Sequence, residues 1–178
     1  MPPPPVQLTG VVSRKIHGAQ PFAITLPLIG TPGVESRSGG ANSDYTIVFT
    51  FANPLVSVGN ASVTSGIGSV SNSAIGTNAN QYTVNLTGAT NAQTITVSLA
   101  DVQDTAGNSS SLVSASMGVL IGDVTVNRTV SNTDVAQVKG QISAPVTASN
   151  FRNDVNANGI VSNTDVSVTK AQVSTTLP

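Results

Sequence analysis

Two segments near the C-terminal end of this chain agree at most positions and are rich in side chains that carry oxygen. Residues 123–135 are DVTVNRTVSNTDV and residues 154–166 are DVNANGIVSNTDV, so equivalent positions are offset by 31 residues. Only 8% of the chain is charged, yet four of its eight acidic residues occupy matching positions in this repeat. Such a close internal repeat indicates duplication, and its carboxylates are the first candidates for a chemical role.

The spacing of these side chains fits a loop that wraps around calcium. Ca²⁺ takes six to eight oxygen ligands, and an EF-hand loop supplies them from positions 1, 3, 5, 7, 9 and 12. The second copy has a suitable residue in every position, with Gly159 at the sharp turn of position 6. We predict as ligands Asp154, Asn156, Asn158, the carbonyl of Ile160, Ser162 through a water, and Asp165.

The first copy departs from this pattern at two positions. Its predicted ligands are Asp123, Thr125, Asn127, the carbonyl of Thr129, Ser131 and Asp134. Thr125 is a poorer ligand than an amide, and Arg128 stands where glycine normally relieves a positive φ. We therefore predict two Ca²⁺ sites, of which the second is stronger. Two carboxylates per loop would about neutralise the ion, which predicts weak binding of ~10⁻⁴ to 10⁻³ M.

The alternative is that these loops only begin helices and hold no metal. Asp134 and Asp165 lie where a carboxylate would cap the helix that follows. Capping explains one aspartate per repeat. It leaves Asp123, Asp154 and the repeated asparagine at position 5 unexplained.

Three features distinguish the repeat from calmodulin-type loops. Position 12 is Asp instead of Glu, no helix precedes either loop, and residues 134–142 and 165–173 form short amphipathic stretches. In these features residues 120–178 resemble a type I dockerin module. The resemblance implies a small α-helical module that folds on calcium and, in cellulosome proteins, docks onto a cohesin domain. Dockerins also occur in bacterial surface proteins that have no cellulosome.

Residues 21–119 have the period-2 alternation of short β-strands separated by turns. The alternating sets are Phe22/Ile24/Leu26, Tyr45/Ile47/Phe49/Phe51, Tyr82/Val84/Leu86, Ile95/Val97/Leu99 and Val113/Ala115/Met117/Val119. About seven such segments predict a two-sheet sandwich. The Phe51-x-x-Pro54 turn and the Asp104-Thr-Ala-Gly-Asn108 turn resemble those of bacterial Ig-like domains, so the predicted fold class is mainly β, an Ig-like β-sandwich followed by the dockerin-like module.

Composition excludes several classes of function. A net charge of −1 provides no basic surface for nucleic acid, and the chain has no apolar run of the ~20 residues that a membrane span needs. His17 is the only histidine, has no cysteine or paired carboxylate near it in sequence, and is predicted to be a surface or turn residue. Residues 36–40, SRSGG, are predicted to form a flexible loop. With no catalytic constellation, we predict that the protein is not an enzyme.

Two functions remain open at this stage. Residues 1–20 combine four prolines with a short strand that could pair with the sheet edge of a neighbouring copy. The leading hypothesis is therefore an extracellular structural protein, a calcium-stabilised subunit of a bacterial surface fibre assembled head-to-tail from copies of itself. In the alternative, this strand pairs within its own sandwich and the dockerin-like module docks to a cohesin-like partner.

Overall fold

The computed structural model describes residues 2–178, in which β-strands predominate and two short α-helices follow them. The strands of these residues are β1 (Leu8–His17), β2 (Gln20–Leu26), β3 (Gly33–Glu35), β4 (Tyr45–Phe51), β5 (Leu55–Ser57), β6 (Asn60–Ser65), β7 (Ser69–Ile75), β8 (Gln81–Thr87), β9 (Gln93–Asp104) and β10 (Ser109–Val119). The helices are α1 (Asn132–Gly140) and α2 (Asn163–Ala171). Single 3₁₀ turns occupy Gly40–Asn42 and Phe151–Asn153.

The strands form two sheets. The first sheet has the order β2-β1-β4-β8-β7 and is antiparallel throughout. The second has the order β3-β10-β9-β5, with β6 also pairing with β9, and β3 runs parallel to β10. We call residues 2–119, which contain both sheets, the β domain.

One apolar core lies between the two sheets. The alternating residues of β8 and β9 point into it, and Val84, Ile95, Val97 and Leu99 are completely buried. The five alternating sets predicted from sequence all lie in strands of the structure. β4 departs from simple alternation because Val48, on its other face, is also buried.

The N-terminal strand is an interior strand of the first sheet. β1 pairs with β2 through residues 11–17 on one side and with β4 through residues 8–14 on the other. Both of its edges are therefore occupied within the chain, which is the alternative considered in the sequence analysis. Donation of this strand to a neighbouring copy has no support in the structure, in which residues 8–17 form part of the first sheet.

The C-terminal module consists of two loop-and-helix units that pack around a small core of valines. That core contains Val124, Val135, Val138, Val155, Val161 and Val166. The units are also joined by two isolated bridges, Thr129 with Thr176 and Ile160 with Pro145. Ile160 and Thr176 lie 31 residues after Thr129 and Pro145, which is the offset of the repeat. Each unit therefore pairs with the other through equivalent residues.

The buried face of β9 gives a direct test of this fold. We expect Leu99→Ala, which removes a fully buried side chain between the sheets, to lower the free energy of unfolding by about 2–5 kcal/mol. Leu112→Ala, on the neighbouring strand β10 but 61% exposed, should change it by no more than about 0.5 kcal/mol. Urea denaturation followed by far-UV circular dichroism measures both. Equal effects of the two substitutions would contradict the placement of β9 in the core.

Candidate metal centre

Each helix of the C-terminal module begins with a capping box that fixes positions 9 and 12 of the loop before it. The Ser131 hydroxyl accepts from the Thr133 amide at 3.2 Å, and Asp134 Oδ2 accepts from the Ser131 amide at 2.9 Å. Ser162 and Asp165 make the equivalent contacts at the start of α2. The capping interpretation is thus correct for these four residues, but Asp123 and Asp154 lie outside both caps.

In the first loop, one threonine links the two carboxylates. Asp134 Oδ1 accepts from the Thr125 amide at 3.0 Å and from its hydroxyl at 2.8 Å. The same hydroxyl lies 3.5 Å from Asp123 Oδ1. The Asn127 and Arg128 amides donate to the two oxygens of Asp123. Positions 1, 3, 5 and 12 of the first loop are therefore brought together.

The second loop has the same arrangement. Asp165 Oδ1 accepts from the Asn156 amide at 3.1 Å, and Asp154 accepts from the amides of Asn158 at 3.1 Å and Gly159 at 2.7 Å. The two asparagine side chains accept from backbone amides two residues further on, as Asx turns do.

The four aspartates of the loops are buried with almost no positive charge to balance them. Asp123, Asp134, Asp154 and Asp165 are all 0% exposed. Among residues 2–178 the ion-pair contacts are His17 with Asp154 and Arg37 with Glu35, so no lysine or arginine pairs with any of the four. Buried charges are normally paired or bound to a metal, because an unbalanced buried charge is costly. Each pair of carboxylates therefore fits a divalent cation.

Electrostatics in the first loop follow from the same burial. Burial raises the pKa of Asp123, and the neighbouring Asp134 raises it further, against hydrogen bonds from backbone amides that lower it. In the described part of the chain, no group of three or more His, Cys, Asp or Glu side chains could hold a metal. The other oxygens near the paired carboxylates in each loop belong to amide, hydroxyl and carbonyl groups, which are types of ligand that Ca²⁺ accepts.

The backbone of the loops bears out the concern about position 6. Arg128 has φ of 71° and Gly159 has φ of 92°, so both lie in the left-handed region. Position 4 is also left-handed, with Val126 at 61° and Ala157 at 57°. The left-handed backbone at position 4 was not predicted from the sequence. A β-branched residue is strained there, so the first loop holds two unfavourable residues where the second holds alanine and glycine.

Residues 121–174 match the family model described as "Dockerin type I domain".

The match confirms the resemblance seen in the sequence of the C-terminal module. A type I dockerin is a protein-binding module that docks to a cohesin and binds Ca²⁺ in EF-hand-like loops. Comparison of the chain with curated proteins and with solved structures found no match. Within residues 2–178 no helix has the length and apolar character of a membrane span.

The dockerin module is packed against the β domain through the only histidine of the chain. His17, at the end of β1, is 2% exposed, and its Nδ1 lies 2.8 Å from Asp154 Oδ2. The predicted surface position is wrong, because the second loop covers this residue, but His17 does lie next to the turn between β1 and β2. Backbone bonds from Gly18 to the Ala157 carbonyl and from Ser38 to the Val155 carbonyl extend the contact.

A buried ion pair lies next to this contact. Arg37 is 0% exposed, so the predicted flexible loop at residues 36–40 is wrong at this residue. Its Nε and Nη2 donate to Glu35 at 2.8 and 2.7 Å, and its Nη1 lies 3.1 Å from His17 Nε2. Burial opposes ionisation of Glu35, but the charge and hydrogen bonds of Arg37, with a hydrogen bond from Ser13, lower the pKa of Glu35.

Three aromatic or basic side chains also contribute to the boundary between the β domain and the dockerin module. The rings of Phe22, in β2, and Phe151, just before the second loop, are stacked with centroids 5.2 Å apart. Arg152 donates to the Val34 carbonyl at 2.9 Å. Residue spacing gave no indication of these contacts. The one signal in the sequence was the rarity of two of these residue types, because His17 is the only histidine and Glu35 the only glutamate of the chain.

Removal of the Glu35 charge should destabilise the whole boundary. We expect Glu35→Gln to lower the free energy of unfolding by about 3–5 kcal/mol, because it leaves the Arg37 charge buried and unbalanced. Asp101→Asn, the same change at an exposed site, should cost no more than about 0.5 kcal/mol. Calorimetry or urea denaturation measures both.

The pH dependence of the Glu35→Gln effect follows from the lowered pKa of Glu35. The stability that this carboxylate contributes is complete above its ordinary pKa of 4.5 and is lost as the pH falls through the lower value of the folded state. The difference in stability between the wild type and Glu35→Gln should therefore shrink below pH 4.5. A difference that grows there would contradict the ion pair.

Proposed function

We propose that this chain is an extracellular protein whose dockerin module, folded by two calcium ions, docks to a cohesin-like domain while the β domain provides a rigid base. The observation that carries the proposal is the pair of loops, each with two fully buried carboxylates that no lysine or arginine of residues 2–178 pairs with, inside a segment that matches the dockerin type I family. When bound, calcium would supply the positive charge that these carboxylates lack. The proposal assigns the chain no catalytic activity.

The first loop would hold calcium through Asp123, Thr125, Asn127, Thr129, Ser131 and Asp134, and the second through Asp154, Asn156, Asn158, Ile160, Ser162 and Asp165. We propose that the second site is the stronger. Two observations support this ranking. The backbone of the first loop is strained at Val126 and Arg128, and the Thr125 hydroxyl already contacts the carboxylates of Asp123 and Asp134.

We propose that the docking surface lies at the exposed ends of the two helices. Asn132 and Thr133 at the start of α1, and Asn163 and Thr164 at the start of α2, are exposed and identical. Their equivalent positions form a duplicated polar surface that the contact with the β domain leaves free. Such a surface suits recognition of another protein through hydrogen bonds.

We propose further that the β domain is an Ig-like sandwich. The support is that its two sheets share one core and that the two turns which resemble Ig-like domains contact each other. Asn53, in the first turn, donates to Asp104 Oδ2 at 2.9 Å, and the Asp104 side chain also accepts from the amides of Ala106 and Asn108. The fibre of self-associated copies is not part of the proposal, because β1 is already paired on both sides.

Calcium titration tests the metal sites. By isothermal titration calorimetry we expect about two Ca²⁺ per wild-type chain, one for each EF-hand-type loop, with the tighter site lost in Asp165→Asn and the weaker one lost in Asp134→Asn. Asp44→Asn, at an exposed carboxylate outside the loops, should bind as the wild type does. Unchanged stoichiometry in both loop variants would contradict the assigned ligands.

Docking is tested with immobilised type I cohesin domains and the full chain. We expect a one-to-one complex in millimolar calcium that a chelator dissolves, and at least a tenfold loss of affinity in the double variant Asn132→Arg/Asn163→Arg, about the effect of losing 1.4 kcal/mol. Asn72→Arg, on exposed β7, is the control. Absence of cohesin binding, together with calcium-dependent self-association in light scattering, would support the fibre hypothesis instead.

A further inference from the structure

The two calcium loops have nearly the same sequence but different surroundings. In the first loop, Asp123 Oδ2 accepts one hydrogen bond, from the Arg128 amide at 2.8 Å. In the second, the equivalent oxygen of Asp154 accepts from the Gly159 amide at 2.7 Å and also contacts His17 Nδ1 at 2.8 Å. This additional contact comes from the β domain, 137 residues away in sequence.

The hydrogen-bond partners of His17 determine which of its nitrogens carries the proton. Nε2 faces Arg37 Nη1 at 3.1 Å, and a guanidinium can only donate. Nε2 must therefore accept, and Nδ1 must carry the proton that is donated to Asp154. Arg37 cannot turn away from the imidazole, because it also donates to Glu35 and to the carbonyls of Ser13 and Phe22.

The imidazole is also held by packing. Its ring meets Phe22 edge-on at 5.2 Å and Phe151 edge-on at 5.9 Å, and those two rings stack on each other. Phe151 lies in the 3₁₀ turn that leads directly into Asp154. The donor to Asp154 is therefore fixed in position from both the β domain and the dockerin module.

Two glycines bring the backbones close enough for this contact. A Cβ on Gly18 would lie 3.1 Å from the Asn158 carbonyl oxygen, and one on Gly159 would lie 3.2 Å from the Gly18 Cα. Gly159 thus serves the contact as well as the turn. The turn after β1 and the second loop fit against each other only because both lack side chains.

From these contacts we propose that His17 is a positioning residue of the second calcium loop, so that the β domain forms part of that metal site. With Oδ2 of Asp154 satisfied by two donors, its Oδ1, which has only the Asn158 amide, is the oxygen presented to the cation. In the first loop, Arg128 Nη1 lies 3.5 Å from the Pro32 carbonyl of the β domain, but among residues 2–178 no β-domain side chain donates to Asp123. This inference rests on the calcium function proposed above and adds to it the coupling of the second site to the β domain.

The test uses two amide substitutions that keep different halves of the histidine. His17→Asn places an amide nitrogen near the position of Nδ1 and retains a donor to Asp154. His17→Gln reaches toward Arg37 and leaves Asp154 without that donor. Both are made in the full chain carrying Asp134→Asn, so that only the second loop binds calcium, and calcium affinity is measured by calorimetry.

We expect His17→Gln to weaken calcium binding by about 10–100-fold, the usual effect of losing a group that orients a metal ligand. His17→Asn should restore the affinity to within about threefold, since the hydrogen bond to the ligand is kept. In chains carrying Asp165→Asn, where only the first loop binds, neither change should alter the affinity. That background shows that the module is still folded.

Three results would overturn the inference. If His17→Gln bound calcium with normal affinity, His17 would be a packing residue only. If both amide substitutions weakened binding equally, or if the first loop were weakened as well, the change would indicate a general loss of structure. Failure of the wild-type chain to bind calcium would refute the calcium function and, with it, this inference. The first two results leave the calcium function intact, so failure of this inference can be distinguished from failure of the calcium function.

Discussion

The C-terminal module depends on the balance of charge around four buried aspartates. Asp123, Asp134, Asp154 and Asp165 are completely buried, and among residues 2–178 no lysine or arginine pairs with them. The apolar core of the module consists mostly of valines, so its hydrophobic stabilisation is small for the cost of burying these charges. Binding of a divalent cation would convert that cost into stabilisation, which is the usual coupling between metal binding and folding in small modules.

The second constraint is the contact between the module and the β domain. Glu35, Arg37, His17 and Asp154 form a continuous buried chain of hydrogen-bonded side chains that begins in the β domain and ends at a predicted calcium ligand. Leu177 packs against Gly118 of β10 at the other side of the module. The dockerin module is therefore held against the β domain by these buried contacts, and is not merely attached by a flexible linker.

Local patterns in the sequence predicted much of this structure. Strand alternation predicted β2, β4, β8, β9 and β10, and the duplicated loop sequence predicted that positions 1, 3, 5 and 12 come together. Both patterns are local in sequence, because strand alternation has period 2 and all the ligand positions of a loop lie within twelve residues. The dockerin resemblance rested on the same local spacing, and the family match confirmed it.

Contacts between distant segments could not be predicted in this way. The burial of His17 depends on a loop that begins 137 residues later, and the burial of Arg37 depends on β1, β2 and Glu35 together. The pairing of β1 inside its own sheet was one of two open alternatives, since an alternating strand fits a neighbour's sheet as well as its own. The left-handed backbone at Val126 was missed because valine rarely adopts it.

Hydrogen exchange of the full chain, followed by mass spectrometry with calcium and with a chelator, tests the central claim most directly. The account predicts that calcium slows exchange across residues 121–174 and also at the β1–β2 turn around His17 and Gly18, while exposed β7 is unaffected. Equal exchange of residues 121–174 in both conditions would contradict the claim that calcium folds this module against the β domain.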